Sequence, residues 1–111
     1  MSLKINGTTI SLTRGDTLKI LVDIRNPDGT SYIPVQGDSI RFAMKKDYKR
    51  EEVVLMKNIP TDTLLLKLDP EDTEMLPQPS EYVYDIELTH VNGDVDTFID
   101  KAVFKLTEEV D

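Results

Sequence analysis

The 111-residue chain contains no cysteine and no tryptophan, and it has a single histidine. Without cysteine there are no disulfides, no thiol catalysis and no metal sites ligated by cysteine. No apolar run approaches the roughly 20 residues that a helix needs to cross a bilayer. The N-terminus also lacks the charged and then apolar order of a signal peptide. We therefore expect a soluble, unsecreted chain, and Met1-Ser2-Leu3 is compatible both with a native start and with a cloning remnant.

The charge balance is strongly acidic, with 21 acidic and 13 basic residues and a formal net charge of −8. A field of that sign repels phosphate backbones and anionic lipid surfaces, so nucleic acids and membranes are disfavoured as partners. Hydrophobic residues make up 39% of the chain, and its length suits one core but not two. The composition thus predicts a single domain over residues 1–111 whose partners are other proteins.

Apolar residues recur at every second position in several segments, which is typical of strands with one face on a core and one face in water. The clearest segments are 17–25, 40–45, 64–68, 82–88 and 104–106. Shorter strands are predicted over 3–6, 8–12 and 53–57. The side chains predicted to point inward are Leu18, Ile20, Val22, Ile24, Ile40, Phe42, Met44, Leu64, Leu66, Leu68, Tyr82, Tyr84, Ile86, Leu88, Phe104 and Leu106.

Turn-forming residues separate these segments. Asn6-Gly7 and Asn92-Gly93 are dipeptides that accept the positive φ of tight hairpin turns. In Asn26-Pro27-Asp28-Gly29, proline presets one φ and glycine closes the turn. Short strands at such spacing indicate a sandwich or barrel. The sequence predicts an all-β fold, an immunoglobulin-like antiparallel β-sandwich of about seven or eight strands.

Residues 70–76 interrupt the alternation and predict one short helical turn. Asp69 is a favourable N-cap, Pro70 suits the first helical position, and the acidic residues that follow favour the helix dipole. Two prolines after the segment end it. We expect this turn to carry the chain from one sheet to the other, with Met75 and Leu76 closing the end of the core.

No catalytic motif is present. A serine-type triad needs a nucleophile, a base and an orienting acid held together, and His90 is the only histidine available as the base. Neither Ser39 nor Ser80 lies in a nucleophile-elbow sequence. We therefore expect His90 to be a solvent-facing spacer beside a turn, and the chain to be no enzyme and to need no cofactor.

The strongest metal candidates are Asp94, Asp96 and Asp100. Calcium prefers several hard oxygens that converge on one point, but the spacing here is not that of a calcium-binding hand. A solvated strand face explains these acids without a metal. Weak calcium binding is left as a hypothesis, which a shift in melting temperature on calcium titration tests.

Some apolar residues fall where the alternation predicts a wet face. They are Leu21, Ala43, Val83, Phe98 and Val103. β-bulges account for some such residues. If several share one sheet face, they form a patch that a monomer rarely exposes, and we then expect that face to pack on another protein or another copy. Tyr48, in the charged loop 45–52, is a further candidate anchor for a partner.

Several short motifs in order resemble one known family. They are Gly15-Asp16-Thr17 before a strand, Pro70-Glu71-Asp72-Thr73 at the helical turn, Tyr84-Asp85-Ile86-Glu87 in a strand and Asn92-Gly93-Asp94-Val95 at a hairpin. Over residues 10–110 the chain resembles the N-terminal domain family of phage baseplate upper proteins and related prophage tail or capsid-associated modules. Relatives usually carry glycine before the aromatic strand, whereas this chain has Pro79-Ser80-Glu81.

The resemblance implies an immunoglobulin-like sandwich without catalytic residues. It also implies a part of a virion tail or baseplate that is made in the bacterial cytoplasm and joined to neighbouring subunits, or to further copies of itself. The alternative is a carbohydrate-binding or adhesive sandwich of a bacterial surface protein. Sugar sites usually need exposed aromatic platforms, for which Tyr32 and Tyr48 are the candidates.

Overall fold

A computed structural model of the chain describes residues 9–47, 49, 52–76 and 81–107. The strand predicted over 3–6 and the Asn6-Gly7 turn lie outside these residues. The elements in chain order are β1 (Ile10–Thr13), β2 (Leu18–Leu21), β3 (Ser39–Lys45), β4 (Val53–Ile59), β5 (Leu65–Leu68), α1 (Pro70–Glu74), β6 (Glu81–Thr89) and β7 (Val95–Thr107). No helix in the described part of the chain is long and apolar enough to span a membrane.

The strands form two sheets, one of five strands in the order β1-β7-β6-β3-β4 and one of two strands, β2-β5. Side chains from both sheets share one hydrophobic core. The prediction of an all-β sandwich is therefore confirmed. The order β7-β6-β3-β4, with β2 and β5 in the second sheet, corresponds to that of strands G, F, C and C′ opposite B and E in immunoglobulin sandwiches.

One pairing departs from the antiparallel sandwich that the sequence predicts. β1 runs parallel to β7, with Ile10 opposite Phe104 and Thr13 opposite Thr107, so the larger sheet is mixed. The turn after β1 leads into β2 of the other sheet. Because β1 and β7 are the first and last described strands, no hairpin joins them, and the long connection between them permits parallel pairing.

The predicted core is largely observed. All the side chains predicted to point inward are buried except Leu18, Ile20 and Leu64, which are half-buried. Tyr84 lies at the centre of the core, with its ring 5.3 Å from that of Phe42 and 6.5 Å from that of Phe104. Its burial raises the pKa of the Tyr84 hydroxyl to about 12.

The strand predicted over 17–25 is shorter than expected, because sheet pairing ends at Leu21. Val22 and Ile24 remain buried beyond that point. Their backbone groups bond outside the ladder: Val22 N–H donates to the Leu64 carbonyl, and the Ile24 carbonyl accepts from Tyr32 N–H. The alternation in the sequence therefore indicates which side chains are buried, and here the buried side chains continue beyond the end of the strand.

The helical turn forms as predicted between β5 of the small sheet and β6 of the large sheet. The Asp72 carboxylate accepts a hydrogen bond from Asp69 N–H at 2.7 Å, which satisfies one backbone donor at the helix start. Thr73 and Leu76 are buried, but Met75 is 82% exposed. The prediction that Met75 closes the core is wrong, because residues three apart share a helix face and Met75 is out of phase with that pair.

Candidate protein-interaction surfaces

The outer face of the larger sheet carries a row of mostly aliphatic side chains. Lys45 lies opposite Val53 on one side and Val83 on the other, and Val83 lies opposite Val103. Side chains of residues in register point to the same face, so these four form one row across β4, β3, β6 and β7. Val53 is exposed, and the other three are half-buried.

A second row lies beside the first. Ala43 is opposite Met56 of β4 and Asp85 of β6. Ala43 is buried, whereas Met56 is 54% exposed. We call Val53, Met56, Ala43, Val83 and Val103 the outer-face patch. Its concentration of aliphatic side chains distinguishes it from the rest of the same face.

The rest of the outer face is mostly polar. Arg41 lies opposite Asn58 on β4 and Glu87 on β6, and Glu87 lies opposite Thr97 on β7. Arg41 and Glu87 form an ion pair at 2.6 Å. The face is therefore divided along its strands: aliphatic residues concentrate toward the start of β6, and the residues toward its end are charged or polar except for Val95 of β7, which is 55% exposed.

Three of the predicted out-of-phase residues, Ala43, Val83 and Val103, meet in the outer-face patch. Leu21 is 72% exposed but belongs to the small sheet, so it does not join them. Tyr48 and the side chain of Phe98 lie outside the described residues. Sequence reasoning missed Val53 and Met56, because Val53-Val54-Leu55-Met56 is apolar throughout and no alternation marks its outer face.

A β-bulge explains why Phe98 falls out of phase with the alternation in the sequence. Ile86 pairs with Ile99 and Glu87 pairs with Thr97, so the backbone of Phe98 has no opposite residue in β6. A second register shift lies between Tyr84 and Ile86. Bulges invert the facing of the residues that follow them, which is why strict alternation fails in this part of β7.

The far end of the sandwich is organised by the carboxylate of Asp38, which is only 9% exposed. It accepts three hydrogen bonds: from the Tyr32 hydroxyl at 2.6 Å, from Val35 N–H at 3.0 Å and from Val91 N–H at 3.1 Å. Val35 precedes β3, whereas Val91 lies in the β6–β7 hairpin. One side chain thus fastens two loops that are 53 residues apart in sequence.

These hydrogen bonds shift the titration of both side chains. The Tyr32 hydroxyl and the N–H groups of Val35 and Val91 favour the ionised carboxylate, so the pKa of Asp38 lies below its usual value. The same hydrogen bond favours the neutral phenol and raises the pKa of Tyr32 to about 12. We call Asp38, Tyr32 and the two backbone donors the Asp38 clamp.

His90 belongs to this arrangement, so the prediction that it is a solvent-facing spacer is wrong. Its side chain is 24% exposed, and its Nε2 lies 2.7 Å from a carboxylate oxygen of Asp96. Its Nδ1 lies 3.3 Å from the Tyr32 hydroxyl, and the two rings meet edge to face. The six-residue separation of His90 and Asp96 around the Asn92-Gly93 turn was the available signal, since a tight hairpin brings such residues close together.

Three aliphatic side chains are exposed on the loops that the Asp38 clamp joins. Ile33 is 78% exposed, Val35 is 55% exposed and Val91 is 66% exposed. The loops are in close contact, because a Cβ added to Gly37 would lie 2.6 Å from Cγ2 of Val91. We call Ile33, Val35 and Val91 the apical patch.

Two of the three predicted metal candidates, Asp94 and Asp96, have separate hydrogen-bond partners. Asp96 contacts His90, and Asp94 accepts a hydrogen bond from the Asn92 amide at 3.3 Å. The side chain of Asp100 lies outside the described residues. Within the described part of the chain, no group of three or more potential ligands converges on one point. Calcium binding stays a prediction that titration tests.

An apolar cleft of about 280 Å³ lies between the two sheets, beside the edges of β1 and β2. Ile20, Leu66, Tyr84 and Ile99 contribute to its walls. The residues that line it carry no carboxylate, imidazole or ammonium group. The polar side chains in its lining are the hydroxyls of Thr9, Ser11 and Tyr84.

Searches of protein-family models and of curated protein sequences give no match to this chain. The resemblance to the phage baseplate family thus rests on the short motifs quoted above and stays a prediction. The sandwich fold agrees with it, but unrelated families share such folds, so the fold does not identify a family.

Proposed function

We propose that this chain is a non-enzymatic assembly module that packs on neighbouring protein subunits through the outer-face patch. The observation that carries the proposal is the pairing of Val83 with Val103 and, in the neighbouring strands of the same face, of Ala43 with the exposed Met56. Contiguous aliphatic surface rimmed by polar residues is characteristic of interaction sites. The Arg41–Glu87 ion pair supplies such a rim on one side.

The assembly that we propose is the tail or baseplate of a phage or prophage. Its support is the family resemblance, together with a sandwich fold of the kind that the family implies. The partners are then other tail or baseplate subunits or a second copy of this chain, and the location is the virion after synthesis in the bacterial cytoplasm. Nucleic acid, membrane, cofactor and small-molecule substrate have no part in this proposal.

The distribution of aromatic side chains favours this function over carbohydrate binding. Phe42, Tyr82, Tyr84 and Phe104 are buried in the core. Tyr32 is half-buried, and its hydroxyl is engaged by Asp38. Sugar rings need an exposed aromatic face on which to stack. Among the described side chains, these rings offer no such face.

The proposal is tested by co-expressing the chain with the products of adjacent genes and measuring co-purification. The double variant Val83→Glu with Val103→Glu should lose the partner, because two buried charges would face an apolar surface. Asn58→Glu, on the polar part of the same face, is the matched control and should retain it. Circular dichroism of each variant confirms folding, and sedimentation velocity separates a partner subunit from self-association.

Two results would contradict the proposal. One is failure to co-purify with any neighbouring gene product while the chain also sediments as a monomer at high concentration. The other is a complex that forms equally well with the double variant. A glycan array with clear hits that Tyr32→Ala or Tyr48→Ala abolishes would establish the adhesive alternative instead.

A further inference from the structure

We infer that the apical patch is a second docking surface, and that it fits a cationic segment of a partner protein with an aliphatic anchor. This surface is separate from the outer-face patch. In β6 the outer-face patch lies at Val83, near the start of the strand, whereas the apical patch follows its end at Thr89. The inference therefore does not depend on the proposed function.

The apical patch is held in place before any partner arrives. Loops normally lose conformational freedom when they bind, which weakens the complex. Here the Asp38 carboxylate already bonds the backbone of Val35 and of Val91, and Gly37 lies against the Val91 side chain. Two of the three aliphatic side chains are thus carried on backbone that is already fixed, and Ile33 follows directly after Tyr32 of the clamp.

The charge around the patch is predominantly negative. The segments that form this end of the sandwich, 22–38, 60–64 and 89–96, contain six aspartates, one arginine and no lysine. Their formal net charge is −5, out of −8 for the whole chain. The single cation, Arg25, is paired with Asp23 at 2.9 Å. The surface potential at this end therefore attracts a positively charged partner.

Three further members of this acidic set lie in the loops at the same end of the sandwich and face solvent. Asp28, Asp62 and Asp94 are all exposed. Hydrogen bonds from Thr30 hold the pKa of Asp28 below its usual value, so this carboxylate is ionised at neutral pH. Asp38, in contrast, is saturated by its three donors and contributes mainly to loop geometry.

Aliphatic and acidic groups together point to a peptide segment and not to a bare metal ion. A cation alone makes no use of Ile33, Val35 or Val91, and the carboxylates of the described residues do not converge as metal ligands. A partner segment with a leucine, isoleucine or valine between lysines or arginines matches both features. Its aliphatic side chain covers the apical patch, while its charges face the aspartates at the same end of the sandwich.

The experiment is a fluorescence anisotropy titration of the full chain against a labelled lysine-rich peptide with a central pair of leucines. Binding is expected and should weaken as salt is raised, because exposed charges are screened. A peptide with serines in place of the leucines should bind about tenfold more weakly. A peptide with glutamates in place of the lysines should not bind.

Substitutions locate the contact. Ile33→Ser and Val91→Ser should each weaken binding by about tenfold. Asp62→Asn and Asp94→Asn should each weaken it by about two- to fivefold. The matched controls lie far from the apical patch. Met75→Ser removes an exposed apolar side chain after α1, and Asp16→Asn removes an exposed carboxylate in the turn between β1 and β2. Both controls should leave the affinity unchanged.

Amide chemical shifts in an ¹⁵N-labelled sample provide the second measurement. The peptide should perturb residues 33–37 and 90–95 and leave residues 70–76 unaffected. Val83→Glu should not alter peptide binding, so this test is separate from that of the outer-face patch.

The inference is overturned if no binding is seen up to millimolar peptide, or if the glutamate peptide binds equally well. It is also overturned if the apical substitutions act no more strongly than their controls, or if calcium displaces the peptide at constant ionic strength.

Discussion

The two ends of the sandwich are each fastened by one polar side chain, but the two side chains have opposite charge. At the apical end the carboxylate of Asp38 accepts hydrogen bonds from backbone N–H groups. At the basal end the guanidinium of Arg14, just after β1, donates to the carbonyls of Glu74 and Leu76, both at 3.0 Å. An anion suits donors left free in loops, whereas a cation suits the carbonyls left free at the end of a helix.

Asp38 and Arg14 also differ in the side chains that surround them. At the basal end Thr73 is fully buried and accepts a hydrogen bond from Gly15 N–H at 2.8 Å, while Leu76 closes the core. Lys57 of β4 adds an ion pair to Asp72 at 2.8 Å. At the apical end the fastened loops present exposed aliphatic side chains. Each end is thus fastened by a polar side chain, but the basal contacts close the core, whereas the apical contacts hold loops with exposed side chains.

The largest difference between the two ends is expected when one aliphatic side chain is truncated at each. Leu76→Ala should lower the free energy of unfolding by about 2–5 kcal/mol, because it leaves a cavity in the core. Val91→Ala should change it by no more than about 0.5 kcal/mol, because the side chain is mostly in water. Urea denaturation measures both. Equal losses would show that the apical end is as much part of the core as the basal end.

The next largest effect is expected at Thr73. Thr73→Val keeps the shape of the side chain but removes the oxygen that accepts from Gly15 N–H. A buried donor left without a partner costs about 1–3 kcal/mol, so the free energy of unfolding should fall by that amount. Thr97→Val, at an exposed strand position, is the matched control. If the two variants unfold at the same urea concentration, the buried hydrogen bond does not stabilise the basal end.

Low pH should destabilise the apical end more than the basal end. The folded pKa of Asp38 lies below its unfolded value, which is about 3.9 for an aspartate. Its contribution to stability is thus present above that pH and is lost as the pH falls toward the folded pKa. A guanidinium keeps its charge over the same range. Hydrogen exchange at pH 3 should show faster opening at residues 33–37 and 90–95 than at 14–16, and Asp38→Asn should remove the pH dependence of that opening.

The smallest effect is expected at high pH, where tyrosine hydroxyls ionise. The pKa values of Tyr32 and Tyr84 are both raised to about 12 in the folded chain. Because the folded state favours the neutral phenols, their contribution is present below about pH 10 and is lost as the pH rises from there toward 12. Ultraviolet titration should show late ionisation that Tyr32→Phe and Tyr84→Phe each reduce. Ionisation of Tyr32 at an ordinary pH would mean that the Asp38 clamp is open in solution.

The sequence predicted the parts of the fold that repeat along the chain. Alternation at Ile40, Phe42 and Met44 and again from Tyr82 to Leu88 placed the core correctly, since burial on a strand has a period of two. The helical turn after Asp69 was also predicted, because capping is chemistry between near neighbours. The parallel pairing of β1 with β7 was not, since no local pattern specifies a partner more than ninety residues away.

The candidate surfaces were predicted less well than the core, and for a related reason. Ala43, Val83 and Val103 stood out because each broke an alternation. The contact of Asp38 with Tyr32 was not predicted, because the carboxylate and its partners come from loops where no period applies, and the contact with Val91 spans 53 residues. Sequence periodicity therefore locates a sheet face, but the side chains that fasten loops become visible only in three dimensions.

The exposures of three methionines give the chain an internal chemical reporter. Met44 is fully buried, Met56 is half exposed on the outer-face patch, and Met75 is mostly exposed at the basal end. Peroxide converts accessible thioethers to sulfoxides and spares enclosed ones. Mass spectrometry after brief oxidation should find Met75 modified and Met44 intact in every state. Met56 should be modified in the free chain and shielded once a neighbour covers it, so a contact is detected without altering a single residue.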